Sequence, residues 1–287
     1  MKRYILFFQD FFISIINFII VFFLFPSKIF NSKKNNYSND SIIILGNGES
    51  INSDINNIIN YAGTHKILCV NFFLNSQLFP KLKPDFYCLT DKVFFKKTTS
   101  KKIENKKDKL ITELMKINHS MTLLIPWNYK FSNYTNFIKK NKHIKIEYIP
   151  NIPIWGGLKN ISQFLINNNC ANPLYENVMI AAIYSSIRCN FQNIFLFGVD
   201  HNWIHSLRVG NNNELLSRKS FFYESEKITV LKDSFENNIK LEDTLNDFNH
   251  IIKSYHFLNN MALSKNITIT NCCTESMIDG FKKGLLK

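Results

Sequence analysis

Seven short, almost uninterrupted apolar runs alternate with longer stretches of helical spacing, and this alternation constrains the chain more than any other feature. The runs are SIIILG from Ser41, KILCVN from Lys66, DFYCLT from Asp85, MTLLIP from Met121, IKIEYI from Ile144, NIFLFG from Asn193 and NITIT from Asn266. A strand wetted on one face alternates apolar and polar residues; a strand without that alternation is buried on both faces, as in a parallel sheet covered by helices. Helical patterns are expected near residues 101–117, 131–141, 157–169, 173–190, 241–264 and 274–285. The fold class that follows is α/β: a Rossmann-like, mostly parallel sheet with helices on both faces. The helix near 173 is the best specified, with Asn172 as its expected cap, Pro173 in its first turn and Leu174, Val178, Ala181, Ala182 and Ser185 along one compact face.

In an open α/β sheet, ligands collect beyond the carboxyl ends of the strands. The run at Ser41 ends there in Gly46-Asn47-Gly48-Glu49-Ser50. Glycines without Cβ atoms allow positive φ and a close approach to the backbone, and the amides of a following helix start can face an anion. The third glycine of G-x-G-x-x-G is missing and no Gly-Lys-Ser/Thr follows, so a plain tight turn is the competing reading. The next two runs deliver Asn71 and Asp91 to the same edge, and NIFLFG delivers Asp200 and His201. Imidazole exchanges a proton near neutral pH, which makes His201 the expected general base, oriented by Asp200. The competing roles are structural: a helix cap for Asn71, a loop cap for Asp91 and a local hydrogen-bond pair for Asp200 with His201. His205, Arg208 and Tyr223 lie in HNWIHSLRVGNNNELLSRKSFFYE, which reads as a lid or an irregular surface loop.

At 287 residues and 45% apolar content, the chain accommodates one sizeable domain, expected over residues 41–287, plus an accessory segment. Residues 1–30 read as a hydrophobic membrane-anchor segment and residues 31–40 as a basic linker. Residues 4–25 have the length of a bilayer span but carry Gln9, Asp10 and Asn17. A span, a helix lying in the interface and a helix packed on the domain are the three readings; membrane attachment is expected. No small-residue cleavage site follows, which disfavours a cleaved signal peptide. The net charge of +13 is spread through the chain without a nucleic-acid-binding motif, so no nucleic-acid partner is expected. Anionic lipid or the phosphate of a nucleotide sugar accounts for it equally well. The six cysteines fit no zinc or redox spacing and read as buried thiols in a reducing compartment.

Taken together, IIILGNGESI, CVNFF, KPDFYCLTD, the helix and strand from 172 to 200, and TITNCCTESMIDGF resemble a bacterial group of nucleotide-binding α/β proteins. That group joins the MptE-like pterin pyrophosphokinase domain and the flagellar motility accessory factors, and it is similar to the bacterial sialyltransferases of glycosyltransferase family 42. The resemblance covers most of residues 41–285 and rests on the order and spacing of short pieces. It implies a nucleotide-phosphate contact at Gly46, Asn47, Gly48 and Ser50, a cytidine-nucleotide contact at Asn71 and a polar nucleotide-side position at Asp91. It places Glu176 and Asn177 of NPLYENV at a helix-opening turn near the substrate. There Tyr175 and Glu176 replace small residues of the sialyltransferases, which leaves base and sugar specificity open. The sialyltransferase histidine has no counterpart in NNIKLEDTLNDF, whereas His201 follows Asp200 as in the MptE-like branch.

The implied function is a membrane-associated glycosyltransferase at the cytoplasmic face of the bacterial inner membrane, acting in surface polysaccharide or lipopolysaccharide biosynthesis. Its implied donor is a nucleotide-activated, CMP-linked acidic sugar, and its acceptor is lipid-linked or a glycan. Arg208 would neutralise phosphate or sugar carboxylate, with Tyr223 beside the substrate. The scheme requires no metal, and Mg²⁺ held by Asp91 and Asp200 stays open. An ATP-dependent pyrophosphokinase of the 6-hydroxymethylpterin type and a non-catalytic scaffold of a polysaccharide assembly complex are the alternatives.

Overall fold

The apolar runs all become strands of one sheet. The structure, a computed structural model, describes residues 2–24, 37–154, 157–168, 170–221, 224–233 and 237–286. In chain order, α1 (Lys2–Leu24) precedes β1 (Ser41–Leu45), α2 (Ile51–Tyr61), β2 (Lys66–Val70), α3 (Phe79–Leu82), β3 (Phe86–Cys88), α4 (Lys101–Met115), β4 (Met121–Pro126), α5 (Asn133–Ile138) and β5 (Ile144–Ile149). Then come α6 (Lys159–Asn167), α7 (Val178–Arg188), β6 (Asn193–Phe197), β7 (Leu207–Val209), β8 (Leu215–Phe221), β9 (Glu224–Val230), α8 (Leu241–Leu263), β10 (Thr268–Asn271) and β11 (Lys282–Lys283).

The main sheet runs β11-β10-β6-β1-β2-β3-β4-β5, and every neighbouring pair is parallel. Successive residues of β1 enter different cores. Ile42 and Ile44 pack with α7 and α8 residues such as Ile183 and Leu258, while Ile43 and Leu45 pack with Phe73, Leu110 and Leu114. A strand that feeds two cores has no wet face, which is why its sequence shows no alternation.

Three expectations change. The helix expected at 173 begins at Val178, and its cap is Asn177, whose side chain accepts from the Ile180 N–H at 3.1 Å. Asn172 instead accepts from the Ile152 N–H at 2.7 Å and fixes the chain entering that turn. The helix expected over 274–285 does not form: the Ser276 hydroxyl donates to Val199 O at 2.7 Å and accepts from the Ile278 N–H at 3.2 Å. Such side-chain bonds compete with a helical ladder, and the segment ends as β11 on the sheet edge. The stretch after His201, read as a lid or loop, contains a three-stranded antiparallel sheet in the order β7-β8-β9.

The N-terminal segment is helical, and one narrow face of α1 docks on the domain. Ser14, Asn17 and Val21 are buried, and the Ser14 hydroxyl accepts from the Leu158 N–H at 2.7 Å. Gly157 lies against it at φ +81°, where an added Cβ would come within 2.7 Å of Ser14 Oγ. Phe7, Phe8, Phe11, Phe12, Phe22 and Phe23 remain exposed. Among the described residues no helix is long and apolar enough to cross a membrane. The expected linker over 31–40 lies outside the described residues up to 36. From Tyr37 the chain is already part of the domain, stacked on Phe191 with ring centroids 4.6 Å apart.

Candidate functional site

From β1 the chain fills the sheet toward β5 on one side, then crosses to β6 and β10 on the other, so the order reverses between β1 and β6. A crevice opens beyond the carboxyl ends of two such strands. Here the Gly46 N–H donates to Phe197 O at 2.8 Å and the Gly48 N–H to Gly198 O at 2.9 Å, joining the two exit loops. An added Cβ on Gly48 would overlap the Asp200 carboxylate and lie 2.8 Å from Gly198 O. The turn therefore requires glycine for close approach between the loops.

Asp200 is the clamp that holds them. Its carboxylate, on a residue 7% exposed, accepts the Ser50 N–H at 3.1 Å and, through a short bond, the Ser50 hydroxyl. Ser50 is the residue before α2, so the clamp fixes where that helix starts. The Asp200 main chain is tied down in turn, its carbonyl accepting from the Met277 N–H at 2.9 Å.

The side chain next to it points into a separate network. His201 has φ +51°, and its Nε2 lies 3.1 Å from Asn177 Nδ2 and 3.0 Å from the Tyr255 hydroxyl. Burial pushes the imidazole pKa down to about 4, opposed by a hydrogen bond to the Val199 backbone. A neutral ring that donates to Val199 presents a lone pair at Nε2, and Tyr255 with Asn177 already engages it. The expectation that Asp200 orients His201 is corrected: Asn177 and Tyr255 do so, because Asp200 is committed to Ser50.

Other expected site residues divide. The cleft, about 1120 Å³, is lined by Gly46, Asn47, Gly48, Glu176, Asn177, Asp200, His201 and Arg208, and also by Thr244, Asp247 and Ile251 of α8. Ser50 joins it through the Asp200 clamp. Asn47 donates to Val70 O at 3.4 Å, while the side-chain oxygens of Asn47 and Asn71 are buried without a partner. Asn71 is not a cap: it adopts φ +50°, and the turn that it opens, Asn71–Asn75, carries no side-chain cap bond. Its carbonyl accepts from the Tyr87 hydroxyl. Asp91 is exposed and caps the turn at Lys92–Phe94, accepting from the Val93 N–H at 3.1 Å. Asp91 is bonded to Val93 and Asp200 to Ser50, and only Asp200 lines the cleft, so the possibility of Mg²⁺ held by the two together, left open by the sequence, gains no support from their placement. Among the described residues no group of three or more His, Cys, Asp or Glu is placed to hold a metal. Tyr223 lies outside the described residues.

Sequence reasoning missed the contribution of α8. The Glu176 side chain is 27% exposed and has His250 Nδ1 3.9 Å away. Burial and the like charge of Asp247 hold the Glu176 carboxyl above the usual range, with His250 opposing. The Asp247 carboxyl is also raised, by burial and Asp243 against His250. The available signal was spacing: Asp243, Asp247 and His250 recur at helical intervals on one face, and Tyr255 follows on the buried side.

No family model and no curated protein matches the chain. Among solved structures, the MAf glycosyltransferase from Magnetospirillum magneticum AMB-1 is similar over 88% of this chain, with a TM-score of 0.50 and 14% identity. The matched region is 34% of that protein, so this chain spans about a third of its length. At this identity the likeness shows a shared α/β fold.

Proposed function

We propose that the chain is a glycosyltransferase that uses a nucleotide-activated sugar, with a CMP-linked acidic sugar as donor. The observation that carries the reading is the cleft at the β1/β6 reversal, where backbone approach is enforced at Gly48 and the lining residue Asn47 keeps a buried amide oxygen without a partner; Asn71, next in the chain to the lining residue Val70, keeps another. The fold shared with the MAf glycosyltransferase supports a glycosyl-transfer reading.

In this reading the nucleotide phosphate lies against the turn from Gly46 to Ser50, near the start of α2. The Asn47 and Asn71 oxygens accept hydrogen bonds from the nucleotide, which relieves the cost of two buried unpaired acceptors. Arg208, exposed on β7 at the cleft, neutralises phosphate or sugar carboxylate. Asp200 acts as the loop clamp. His201 acts as a positioning residue that locks Asn177 and Tyr255 together. The uncovered phenylalanine face of α1 lies in the interface of the cytoplasmic leaflet and keeps the cleft near a lipid-linked or glycan acceptor of surface polysaccharide or lipopolysaccharide synthesis.

The test is turnover of the full chain with a panel of CMP-, UDP- and GDP-activated sugars, read as release of the nucleotide together with a glycosylated acceptor. CMP release with product is the expected result. Turnover of ATP with a pterin alcohol in place of any sugar donor would replace this reading by the pyrophosphokinase.

A further inference from the structure

We propose that Glu176 is the base that takes the proton from the acceptor hydroxyl, with Asp247 and His250 facing it from α8. The proposal rests on the glycosyltransferase reading and adds to it the residue that activates the acceptor.

Several side chains in the cleft could take a proton, and their placement sets Asp200, His201 and Glu49 apart from Glu176. Asp200 has both carboxylate oxygens on Ser50. The Nε2 lone pair of His201 is engaged by Asn177 and Tyr255. Glu49 belongs to the glycine turn and is exposed, so its charge would sit beside the departing phosphate. Glu176 enters the same cleft from the start of α7, away from that turn. Its ion-pair contact, His250 Nδ1, stands at 3.9 Å, beyond hydrogen-bond length.

The position of Glu176 is fixed by its neighbour. Asn177 caps α7 through Ile180 and is bonded to both His201 and Tyr255, so the backbone carrying Glu176 is held on three sides. A base held this way needs no reorganisation when the acceptor arrives. Its charge environment suits the task. Burial and Asp247 raise the carboxyl, His250 lowers it, and His201, His205 and Arg208 line the remainder of the cleft. A carboxylate with a raised pKa is a stronger base than a solvated one.

In the transfer step the acceptor O–H bond breaks and its proton passes to a Glu176 carboxylate oxygen. The electron pair left on the acceptor oxygen forms the bond to the anomeric carbon. The bond from that carbon to the nucleotide phosphate oxygen breaks, and its pair leaves on the phosphate. Glu176 then releases the proton to solvent.

The experiment measures transfer from a CMP-activated sugar by the full chain, in wild type, Glu176→Gln and Asp247→Asn, across the pH range of the rising acid limb. Glu176→Gln should lower kcat by about 10² to 10⁴ and abolish the limb, while donor affinity stays within about twofold. Asp247→Asn removes the like charge and should move the limb to lower pH. Transfer by Glu176→Gln within about threefold of wild type, with the limb intact, overturns the assignment. Should Glu176→Gln fail to fold, an unmoved limb in Asp247→Asn overturns it. A wild-type chain that transfers sugar from no donor removes the glycosyltransferase reading, and the base assignment falls with it.

Discussion

The hydroxyl of Tyr255 lies 3.0 Å from Nε2 of His201, joining the middle of α8 to the loop after β6. Asn177 completes the node with its amide nitrogen 3.1 Å from each of the other two side chains. Three elements distant in sequence thus meet on one neutral imidazole at the wall of the cleft.

That neutrality has a measurable pH signature. The folded His201 pKa is lowered from 6.5 to about 4, so the native state binds this proton less readily than the unfolded chain. The stabilisation is present above the unfolded pKa and is lost as pH falls through the window from about 6.5 to about 4, with a ceiling of about 3 kcal/mol. Denaturant titrations at pH 7 and pH 4 should show wild type losing more stability than His201→Gln. Equal losses in the two proteins would contradict the buried, neutral ring.

Gly48→Ala should separate the two exit loops. Its Cβ would overlap the carboxylate that binds Ser50, so the variant is expected to lose about 1 to 3 kcal/mol and most of its nucleotide affinity. Gly63→Ala is the control, because nothing lies within 4 Å of a Cβ added there. Equal melting temperatures and affinities in the two variants would show that the close approach at Gly48 is not required.

Asn71→Ala removes an amide oxygen that has no partner in the fold. Nucleotide affinity should fall by roughly 0.5 to 1.5 kcal/mol, with no loss of melting temperature. A drop in stability of about 1 kcal/mol with unchanged affinity would restore a capping role.

The parallel sheet was legible because its strands feed two cores, and unbroken apolar runs such as Ile42 to Leu45 are the direct imprint of that burial. The convergence of Gly48, Asp200 and His201 was legible for a similar reason: each closely follows a strand that ends at the ligand edge. What those side chains touch was not. Asp200 and His201 are adjacent in sequence, yet one turns to Ser50 and the other to Tyr255 because His201 takes up a left-handed backbone conformation. The start of α7 was misplaced because Asn172 and Asn177 are equally good caps by composition, and only the tertiary bond from Asn172 to Ile152 decides between them. The contribution of α8 was hidden because Glu176 and His250 meet only when two helices pack.

The exposed face of α1 predicts its own behaviour at a bilayer. Replacing Phe7, Phe8, Phe11, Phe12, Phe22 and Phe23 together by serine should abolish co-sedimentation with anionic vesicles, since burying each phenylalanine contributes about 1.5 to 3 kcal/mol. Ser14→Ala, on the docked face, should leave vesicle binding intact while orphaning the Leu158 N–H. Retained binding by the serine variant would remove α1 as the membrane contact.

The most direct test of the account is the melting temperature of the full chain with CMP, UMP, GMP and ATP plus Mg²⁺, each in large excess. A ligand at about one hundred times its Kd stabilises the native state by about 2.7 kcal/mol, a shift of several degrees for a domain of this size. The account predicts that CMP produces this shift in wild type and that Gly48→Ala abolishes it. A shift with ATP and Mg²⁺ alone, or with no nucleotide at all, would contradict it.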